Sequence, residues 1–403
     1  MILVLSYAPM REFSLYIHIP YCVAKCPYCD FNSYAATQWP EARYVDALCR
    51  ELDEYGASMT WRGGAIQTIF FGGGTPSLFA AASISAILAA AARNWTMAAD
   101  TEVTLEANPG TLTLDRLHGF RAAGVNRMSF GVQSFHARHL QTLGRIHSGD
   151  DAEAAVHWAR AAGFGRVSVD LIYALPNQTV PEWESDMARA CALQPDHISA
   201  YNLTYEEGTA FHQWRAQGKL RQLPEEIEVA LFTRTQEGLQ AAGYQQYEIS
   251  NYAQPGQACR HNLNYWESGS YLGVGAGAHS YARTLTESAT DGAGVVPAWG
   301  HRWSNEKMPA RYITAIETHG HARVTAERLD VGQARGEFVF LGLRCLDGFA
   351  AATFRDRFGA ELADVFPHVG DLRDGGLLEY HEARWRLTPR GLLLADSVFA
   401  TFL

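Results

Sequence analysis

The sequence predicts an α/β protein, an incomplete (β/α)6 barrel followed by a small C-terminal α+β module. Apolar strand-like runs alternate with helical patterns from Leu15 to Leu203, and this alternation loosens near Thr204. Cysteines, glycines and charged residues interrupt the pattern mainly where strands end. Strands that alternate with helices imply right-handed crossovers and a parallel sheet. Six such units are too few for a closed eight-stranded barrel, so we expect an open one, with its chemistry at the C-terminal ends of the strands.

Each predicted element follows from the spacing of its apolar residues. The strands are predicted at 15–19, 65–71, 101–106, 126–134, 166–172 and 197–203. The helices between and after them are predicted at 41–59, 80–92, 114–123, 147–162, 181–193 and 225–242. A late strand at 244–249 is expected to close one side of the barrel.

The C-terminal part has a different order of elements. Helices are predicted at 337–345, 350–358 and 362–372, and a hairpin at 377–380 and 384–388. This order is typical of a winged-helix module, but acidic residues slightly outnumber arginines there, which favours packing or partner contact over DNA. A stretch of Gly, Ala, Ser and Thr indicates a linker. We therefore expect a barrel domain over 1–283, a linker over 284–300 and a winged-helix-like domain over 301–403.

Composition excludes several classes of protein. The 403 residues carry a formal net charge of −10, which argues against a nucleic-acid surface because phosphate binding needs clustered Lys and Arg. Seven cysteines, of which only three cluster, do not form a disulfide framework. The apolar N-terminal patch lacks the basic region and cleavage site of a signal peptide. We expect a protein of the reducing cytoplasm, with transient membrane association only through a partner.

Three cysteines follow the first predicted strand in C-x3-C-x2-C spacing. They are Cys22, Cys26 and Cys29. Three thiolates on one short loop predict a metal centre, and a structural zinc site would normally add a fourth Cys or His nearby, which is not evident in the following residues. An iron–sulfur cluster held by three cysteines keeps one iron open for another ligand.

Further unusual residues follow the next strands. Gly72-Gly73-Gly74-Thr75-Pro76 ends the second one and lacks the Lys-Ser/Thr pair of a phosphate-binding loop. Glu106, Gln133 and Asp170 lie at or near the ends of later strands, and Arg145 follows Leu143-Gly144. Each of these could equally be a satisfied polar residue at a barrel rim.

The longer strings around these residues resemble one family. The strings are C-x3-C-x2-C, LEANP at 105–109, SFGVQSF at 129–135, LGR at 143–145 and DLIYALPNQT at 170–179, together with Tyr16. They are similar to the coproporphyrinogen III oxidase-like branch of the radical S-adenosylmethionine (SAM) superfamily. The resemblance spans the chain from Leu15 to the C-terminal module.

The resemblance implies the cofactors and their ligands. Cys22, Cys26 and Cys29 would hold a 4Fe-4S cluster whose open iron chelates SAM. The glycine motif Gly72, Gly73, Gly74 and Thr75 would hold the methionine amino group, and Tyr16 would stand by the cluster. Glu106, Gln133, Arg145 and Asp170 would surround the sulfonium, ribose and carboxylate of SAM.

Two functions compete within that branch. One is oxygen-independent coproporphyrinogen III oxidase, which decarboxylates propionates with SAM-derived radicals; the other is the HemW-like haem chaperone group. The oxidase pattern has a further Cys where this chain has Phe31, and an N-terminal extension ahead of the cluster, whereas Cys22 lies close to Met1. HNLNYW at 261–266 matches the H-N-x-x-Y-W motif of the chaperone group. We therefore expect a haem chaperone. Reductive cleavage of SAM stays open, and so does a third function, an enzyme that cleaves SAM and acts on another tetrapyrrole.

The cargo site is predicted at the H-N-x-x-Y-W motif. His261 would ligate haem iron, and Tyr265 and Trp266 would offer flat apolar walls. A structural, hydrogen-bonded His261 is the alternative, with His279 and Cys259 as weaker candidates. The expected partners are haem, an external electron donor for the cluster, and acceptor haemoproteins, membrane-bound respiratory ones among the candidates; nucleic acid is not expected.

Overall fold

The computed structural model describes residues 12–283, 287–291 and 294–403. Its first half consists of β1 (Glu12–Ile19), β2 (Tyr21–Cys22), β3 (Tyr34–Ala35), α1 (Glu41–Ala57), β4 (Ala65–Gly73), α2 (Ala81–Asn94), β5 (Thr96–Ala107), α3 (Leu114–Ala123), β6 (Arg127–Gln133), α4 (Ala137–Thr142), α5 (Gly149–Ala161), β7 (Arg166–Tyr173), α6 (Val180–Ala192) and β8 (His197–Asn202). Short 3-10 turns at Pro76–Leu78 and Pro109–Thr111 follow β4 and β5.

The second half begins at the loosened pattern. It consists of α7 (Ala210–Ala216), α8 (Glu225–Ala241), β9 (Gln245–Glu248), β10 (Asn251–Ala253), α9 (Arg260–Trp266), β11 (Tyr271–Val274), β12 (His279–Ala282), β13 (Glu287–Asp291), β14 (Gly294–Ala298), β15 (Gly300–Asn305), α10 (Pro309–His319), β16 (Arg323–Leu329), α11 (Val331–Arg344), β17 (Phe349–Ala350), α12 (Ala351–Phe358), α13 (Leu362–Val365), α14 (Val369–Asp374), β18 (Leu378–His381), β19 (Arg384–Leu387), α15 (Pro389–Leu393) and α16 (Ala395–Ala400).

Twelve of the described strands form one sheet. Its order is β16-β15-β12-β11-β1-β4-β5-β6-β7-β8-β10-β9, and β1, β4, β5, β6, β7 and β8 are parallel neighbours. The predicted six-unit parallel sheet is confirmed. The outermost strands, β16 and β9, do not pair with each other in the described residues, so the barrel is incomplete.

The two flanks of the parallel sheet differ from the prediction in one respect. On the β8 side, the predicted late strand is β9, joined through β10 by antiparallel pairing. On the β1 side, β11 adds in parallel, and β12, β15 and β16 continue the sheet by antiparallel pairing. The flanking strands β9 to β12 have only three or four residues each, and β15 and β16 carry many polar residues, so their sequences carry little strand signal.

The sheet also extends beyond the predicted domain boundary. The predicted start of the C-terminal domain at residue 301 falls inside β15, and β16 pairs with β15 along its length. The predicted linker at 284–300 contains the β13–β14 hairpin, and its remaining positions include residues outside the described ranges. Most buried residues of the second hydrophobic core lie at Leu329 and beyond, although Tyr281 of β12 also belongs to it.

The C-terminal module has the winged-helix-like order that the sequence predicts. Helices α11 to α14 precede the β18–β19 hairpin, and β17 pairs with β19 to make a three-stranded sheet. Its core is aromatic, with Phe338, Phe354 and Phe358 buried together. The module contacts the main sheet through the Arg344–Glu248 ion pair at 3.3 Å.

Helix α1 shows why the helices cover the outer face of the sheet. Its buried residues include Tyr44, Leu48 and Leu52, which recur at helical spacing and form one apolar stripe. Further along the chain, capping boxes at Ser148 and Thr179 start α5 and α6 just after loops that carry functional residues. Among the described residues, helices long and apolar enough to cross a bilayer are absent.

A buried carboxylate joins α1 to the β11–β12 turn. Glu51 of α1 accepts hydrogen bonds from the Gly275 N–H at 2.9 Å, Asn305 Nδ2 at 2.7 Å and the Tyr312 hydroxyl at 2.6 Å. Burial raises the pKa of Glu51 to about 7, although these three donors act in the opposite direction. Gly275 has φ +105°, and a Cβ there would collide with the His18 carbonyl, so the turn requires glycine.

The pH dependence of stability tests this carboxylate. Because its folded-state pKa is raised, its favourable contribution is present below about pH 4.5 and is lost as pH rises toward 7. Glu51→Gln removes the titration, so the melting temperature of the variant should rise relative to wild type between pH 5 and pH 8. The comparison is made by calorimetry at several pH values. A constant difference between the two proteins would contradict the assignment.

Candidate functional site

The cysteine loop lies directly after β1 and is closed by pairing of β2 with β3. The Ala36 N–H donates to the Cys22 carbonyl at 2.9 Å, and the Cys29 N–H donates to the Cys26 carbonyl at 3.1 Å. Lys25 Nζ donates to two carbonyls across the loop, those of Phe31 and Ser33. These bonds hold the cysteine segment in a compact turn at the C-terminal edge of the parallel strands.

Each thiol has a polar neighbour suited to a thiolate. The Thr75 hydroxyl donates to Cys22 Sγ at 3.5 Å, Arg145 Nη1 donates to Cys26 Sγ at 3.4 Å, and the Ser33 hydroxyl lies 3.9 Å from Cys29 Sγ. Burial raises the pKa of Cys22 and Cys29, so without a metal both remain thiols. Metal binding would release their protons, as metal centres with thiolate ligands do.

The arrangement of the thiols distinguishes between kinds of metal centre. A structural zinc site is usually closed by four protein ligands, whereas a four-iron cluster held by three thiolates keeps one iron open for another ligand. The three thiols of the cysteine loop, with their hydroxyl and guanidinium neighbours, therefore fit a cluster better than a zinc ion.

The thiols line a cavity of about 860 Å³, which we call the thiol cavity. Most of the residues predicted to hold the cluster and SAM line it as well. These are Cys22, Cys26, Cys29, Gly73, Gly74, Thr75, Glu106, Gln133, Arg145 and Asp170. The structure therefore brings together, from five strands and three loops, the residues that the sequence motifs assign to the cluster and SAM.

Two buried carboxyl groups lie where the thiol cavity meets a second cavity. Burial and the nearby Asp170 raise the pKa of Glu106 to about 8, while the Gly73 N–H at 3.2 Å acts in the opposite direction. Burial also raises the pKa of Asp170 to about 6, against hydrogen bonds from Ser199 and Ser129. Near neutral pH, this pair can gain or lose a proton as charge enters the cavity.

The glycine motif is required by close packing. A Cβ at Gly73, where φ is +111°, would collide with the His18 ring, and a Cβ at Gly74 would lie 2.7 Å from the Tyr21 carbonyl oxygen. The Gly74 N–H donates to the Ile19 carbonyl at 2.8 Å, and the Thr75 N–H donates to the Tyr21 carbonyl at 2.8 Å. Glycine thus lets the residues at the end of β4 lie close to the start of the cysteine loop and form hydrogen bonds with it.

Arg145 is fixed against the cysteine loop by hydrogen bonds and by the close packing of Gly144 beside it. Its Nη2 donates to the Gly131 carbonyl at 2.6 Å, and its Nη1 donates to Cys26. Gly144 has φ +65°, and a Cβ there would lie 2.8 Å from Pro27 of the loop.

Gln133 also has positive φ, +70°, and its buried Oε1 lacks a partner in the described residues. An oriented but unsatisfied amide of this kind fits a ligand-binding role.

A second cavity of about 700 Å³, the histidine cavity, adjoins the first at Glu106, Asp170 and Phe31. Tyr16, His18, His197, His261, Tyr265 and His279 line it. The Tyr16 hydroxyl donates to His18 Nδ1 at 3.0 Å, and His18 Nε2 donates to the Asn32 carbonyl at 2.8 Å. Tyr16, predicted to stand by the cluster, therefore lies on the histidine side of the carboxyl pair.

The three residues predicted to hold haem do not share one surface. His261 and Tyr265 line the histidine cavity, with His261 Nε2 2.9 Å from the Tyr265 hydroxyl. Trp266 instead lies under the guanidinium of Arg344, which is 4.4 Å from its ring. It points toward the C-terminal module because successive positions on the short helix α9 face different directions.

The histidine cavity is lined by a polar face of which the sequence analysis predicted only Glu106 and Asp170. The face consists of residues two apart on neighbouring strands: Thr104 and Glu106; Arg127 and Ser129; Ser168 and Asp170; His197, Ser199 and Tyr201. Arg127 at its floor is buried and pairs with Glu102 at 3.3 Å. The signal was the period-two occurrence of Ser, Thr and charged residues within otherwise apolar strands.

Comparison with known proteins agrees with this geometry. A model of the radical SAM superfamily matches residues 16–190, and a model of the HemN C-terminal domain matches residues 333–394. Among solved structures, coproporphyrinogen III oxidase (HemN) from Escherichia coli matches with a TM-score of 0.81 at 24% identity, covering 98% of this chain and 91% of that one. At that identity, the likeness shows the fold alone.

The chain is thus a radical SAM protein with a HemN-type C-terminal domain. Curated relatives named heme chaperone HemW are 37% identical in Escherichia coli, 36% in Haemophilus influenzae and 35% in Bacillus subtilis. These alignments cover 97% of this chain and 97% to 99% of the relatives. The chain belongs to the HemW family.

The three thiols are expected to be the protein ligands of an iron–sulfur cluster. Changing Cys22, Cys26 and Cys29 together to Ala should give a colourless protein that still folds, because the three irons with protein ligands would lose their thiolates. Iron and sulfide are measured after anaerobic reconstitution, with Cys49→Ala as the control because Cys49 lies in α1, outside both cavities. Iron and sulfide at wild-type levels in the triple variant would contradict the assignment.

Proposed function

We propose that this chain is a haem chaperone, which binds haem and delivers it to acceptor haemoproteins while carrying one 4Fe-4S cluster and SAM. Its full-length relatives bear that name, and its Phe31 stands where the oxidase pattern has a further cysteine. The observation that carries the proposal is the histidine cavity. It adjoins the thiol cavity, it is lined by imidazoles and aromatic rings, and its volume is within the ~300–1,000 Å³ range of ligand sites.

The cluster and SAM are assigned to the thiol cavity. When bound, a cluster held by Cys22, Cys26 and Cys29 leaves one iron open to chelate SAM. Thr75 and Arg145 would stabilise the ligating thiolates through the hydrogen bonds that they already make to sulfur. We assign SAM to the residues that were predicted to contact it, with Tyr16 and Gly72 beside them. They are Gly73, Gly74, Thr75, Glu106, Gln133, Arg145 and Asp170.

The carboxyl pair gives the thiol cavity a means of accepting a cation. The negative charge of Asp170 is close enough to disfavour ionisation of Glu106. A positively charged sulfonium beside them would favour their ionised forms and would be held by the same attraction. In the absence of a cation, the raised pKa of Glu106 keeps that carboxyl group largely protonated at neutral pH, so the pair carries less negative charge than two ionised carboxylates would.

Haem is assigned to the histidine cavity. This assignment keeps two of the three residues predicted to hold haem, His261 and Tyr265, and leaves out Trp266. His261 and Tyr265 line that cavity, while Trp266 contacts Arg344 outside it. The exposed ring of Phe31 lies at the junction of both cavities and offers apolar surface to a macrocycle. A cytoplasmic location, an external electron donor and acceptors that include membrane-bound respiratory haemoproteins complete the proposal.

Haem binding without porphyrinogen oxidation tests the proposal. The reconstituted protein should bind about one haem per chain in an anaerobic titration. In the same buffer with SAM and a reductant, it should leave coproporphyrinogen III unconverted, with an authentic oxygen-independent oxidase run in parallel as the control. Robust formation of protoporphyrinogen IX, or a wild-type protein that binds no haem, would overturn the chaperone proposal. SAM cleavage without decarboxylation would be compatible with it.

A further inference from the structure

Four histidines line the histidine cavity and differ in what their ring nitrogens already do. His18, His197 and His261 are at most 5% exposed, whereas His279 is exposed. An imidazole binds haem iron through a nitrogen lone pair, so that lone pair has to be free and accessible. The hydrogen bonds of each ring therefore decide which histidine can serve as a ligand.

The lone pair of His261 is already engaged. The Thr68 hydroxyl donates to Ser14 at 2.8 Å, so its oxygen accepts from His261 Nδ1–H at 2.7 Å. The remaining lone pair, on Nε2, accepts from the Tyr265 hydroxyl at 2.9 Å. The ring also stacks on Phe70 with 5.0 Å between centroids. Ligation by His261 would break the bond to Tyr265 and move a fully packed ring.

His18 and His197 are equally unsuited. His18 Nε2–H donates to the Asn32 carbonyl, which leaves Nδ1 as the acceptor for the Tyr16 hydroxyl. His197 Nε2 lies 2.9 Å from the Tyr247 hydroxyl, and its Nδ1 has no hydrogen-bond partner in the described residues but is buried and therefore not accessible to iron. Both rings therefore work as positioning groups of the polar face.

His279 has the opposite properties. It is the first residue of β12, directly after the glycine turn that Glu51 holds, and its exposed side chain lies in the histidine cavity. Among the described residues, its ring has no hydrogen-bond partner. Partial desolvation within the cavity lowers its pKa, and the positive charges of Lys307 and Arg302 lower it further, so the ring is neutral at pH 7 and keeps a free lone pair.

We propose that His279 is the axial ligand of haem iron in the histidine cavity, an inference that rests on the proposed chaperone function. His261 then positions Tyr265 as a wall of the cavity and does not bind iron. Lys307 lines the same cavity, and its ammonium group could pair with a haem propionate, whereas Lys25 already donates to the Phe31 and Ser33 carbonyls. Iron ligand, carboxylate partner and aromatic surface thus occur together at this one site.

Three single variants in the reconstituted full-length protein test the assignment. His279→Ala should weaken ferric haem binding by about tenfold or more and shift the Soret band, because an iron ligand is lost. Added imidazole should restore the wild-type band by filling the vacated position. His157→Ala, on the exposed face of α5, should change neither quantity.

His261→Gln separates a ligand from a positioning residue. We expect it to lower affinity while it keeps the imidazole-ligated spectrum of wild type. Loss of that spectrum in His261→Gln, together with an unchanged band and affinity in His279→Ala, would overturn the assignment and leave the chaperone function standing. A wild-type protein that binds no haem would instead overturn the chaperone function itself.

Discussion

The site depends on the parallel pairing of seven neighbouring strands, from β11 through β1 to β8. In a parallel sheet the carboxyl ends of the strands meet at one edge, so the residues that follow each strand are brought together. Register then decides which face each side chain takes, because a shift of one residue would move the polar set to the helix-covered face. Tyr16 opposite Phe70, and Asp170 opposite Ser199, keep the cavity-lining residues in line.

One side chain connects the cysteine loop to the flank that carries His279. Asn32 Nδ2 donates to the Ala276 carbonyl at 2.9 Å and to the Lys307 carbonyl at 3.0 Å, while its Oδ1 accepts from the Tyr34 hydroxyl. Its own carbonyl accepts from His18. The segment that would bind the cluster is therefore bonded directly to the turn that would bind the cargo. A change at one cavity has a short path of hydrogen bonds to the other.

The fold could be predicted further than the site. The strands at β4 to β8 were predictable because buried parallel strands are apolar runs between helices, and Glu106, Gln133 and Asp170 could be placed at one edge from that pattern alone. The strands β12, β15 and β16 could not, because β12 has only four residues and because β15 and β16 carry many polar residues. The hydrogen bonds that engage His261 come from Thr68, on a strand far from it in sequence. The motif placed His261 correctly beside Tyr265 but carried no information on which nitrogen is free.

The central claim is that cluster and cargo occupy two separate cavities that meet at Glu106 and Asp170. The most direct test is the haem content of the variant in which Cys22, Cys26 and Cys29 are all replaced by Ala, measured by anaerobic titration beside the wild type. If the two sites are separate, the variant lacks the iron–sulfur cluster but still binds haem with the stoichiometry and Soret band of wild type. Loss of haem together with the cluster would contradict the account and would place the cargo on the cysteine thiolates.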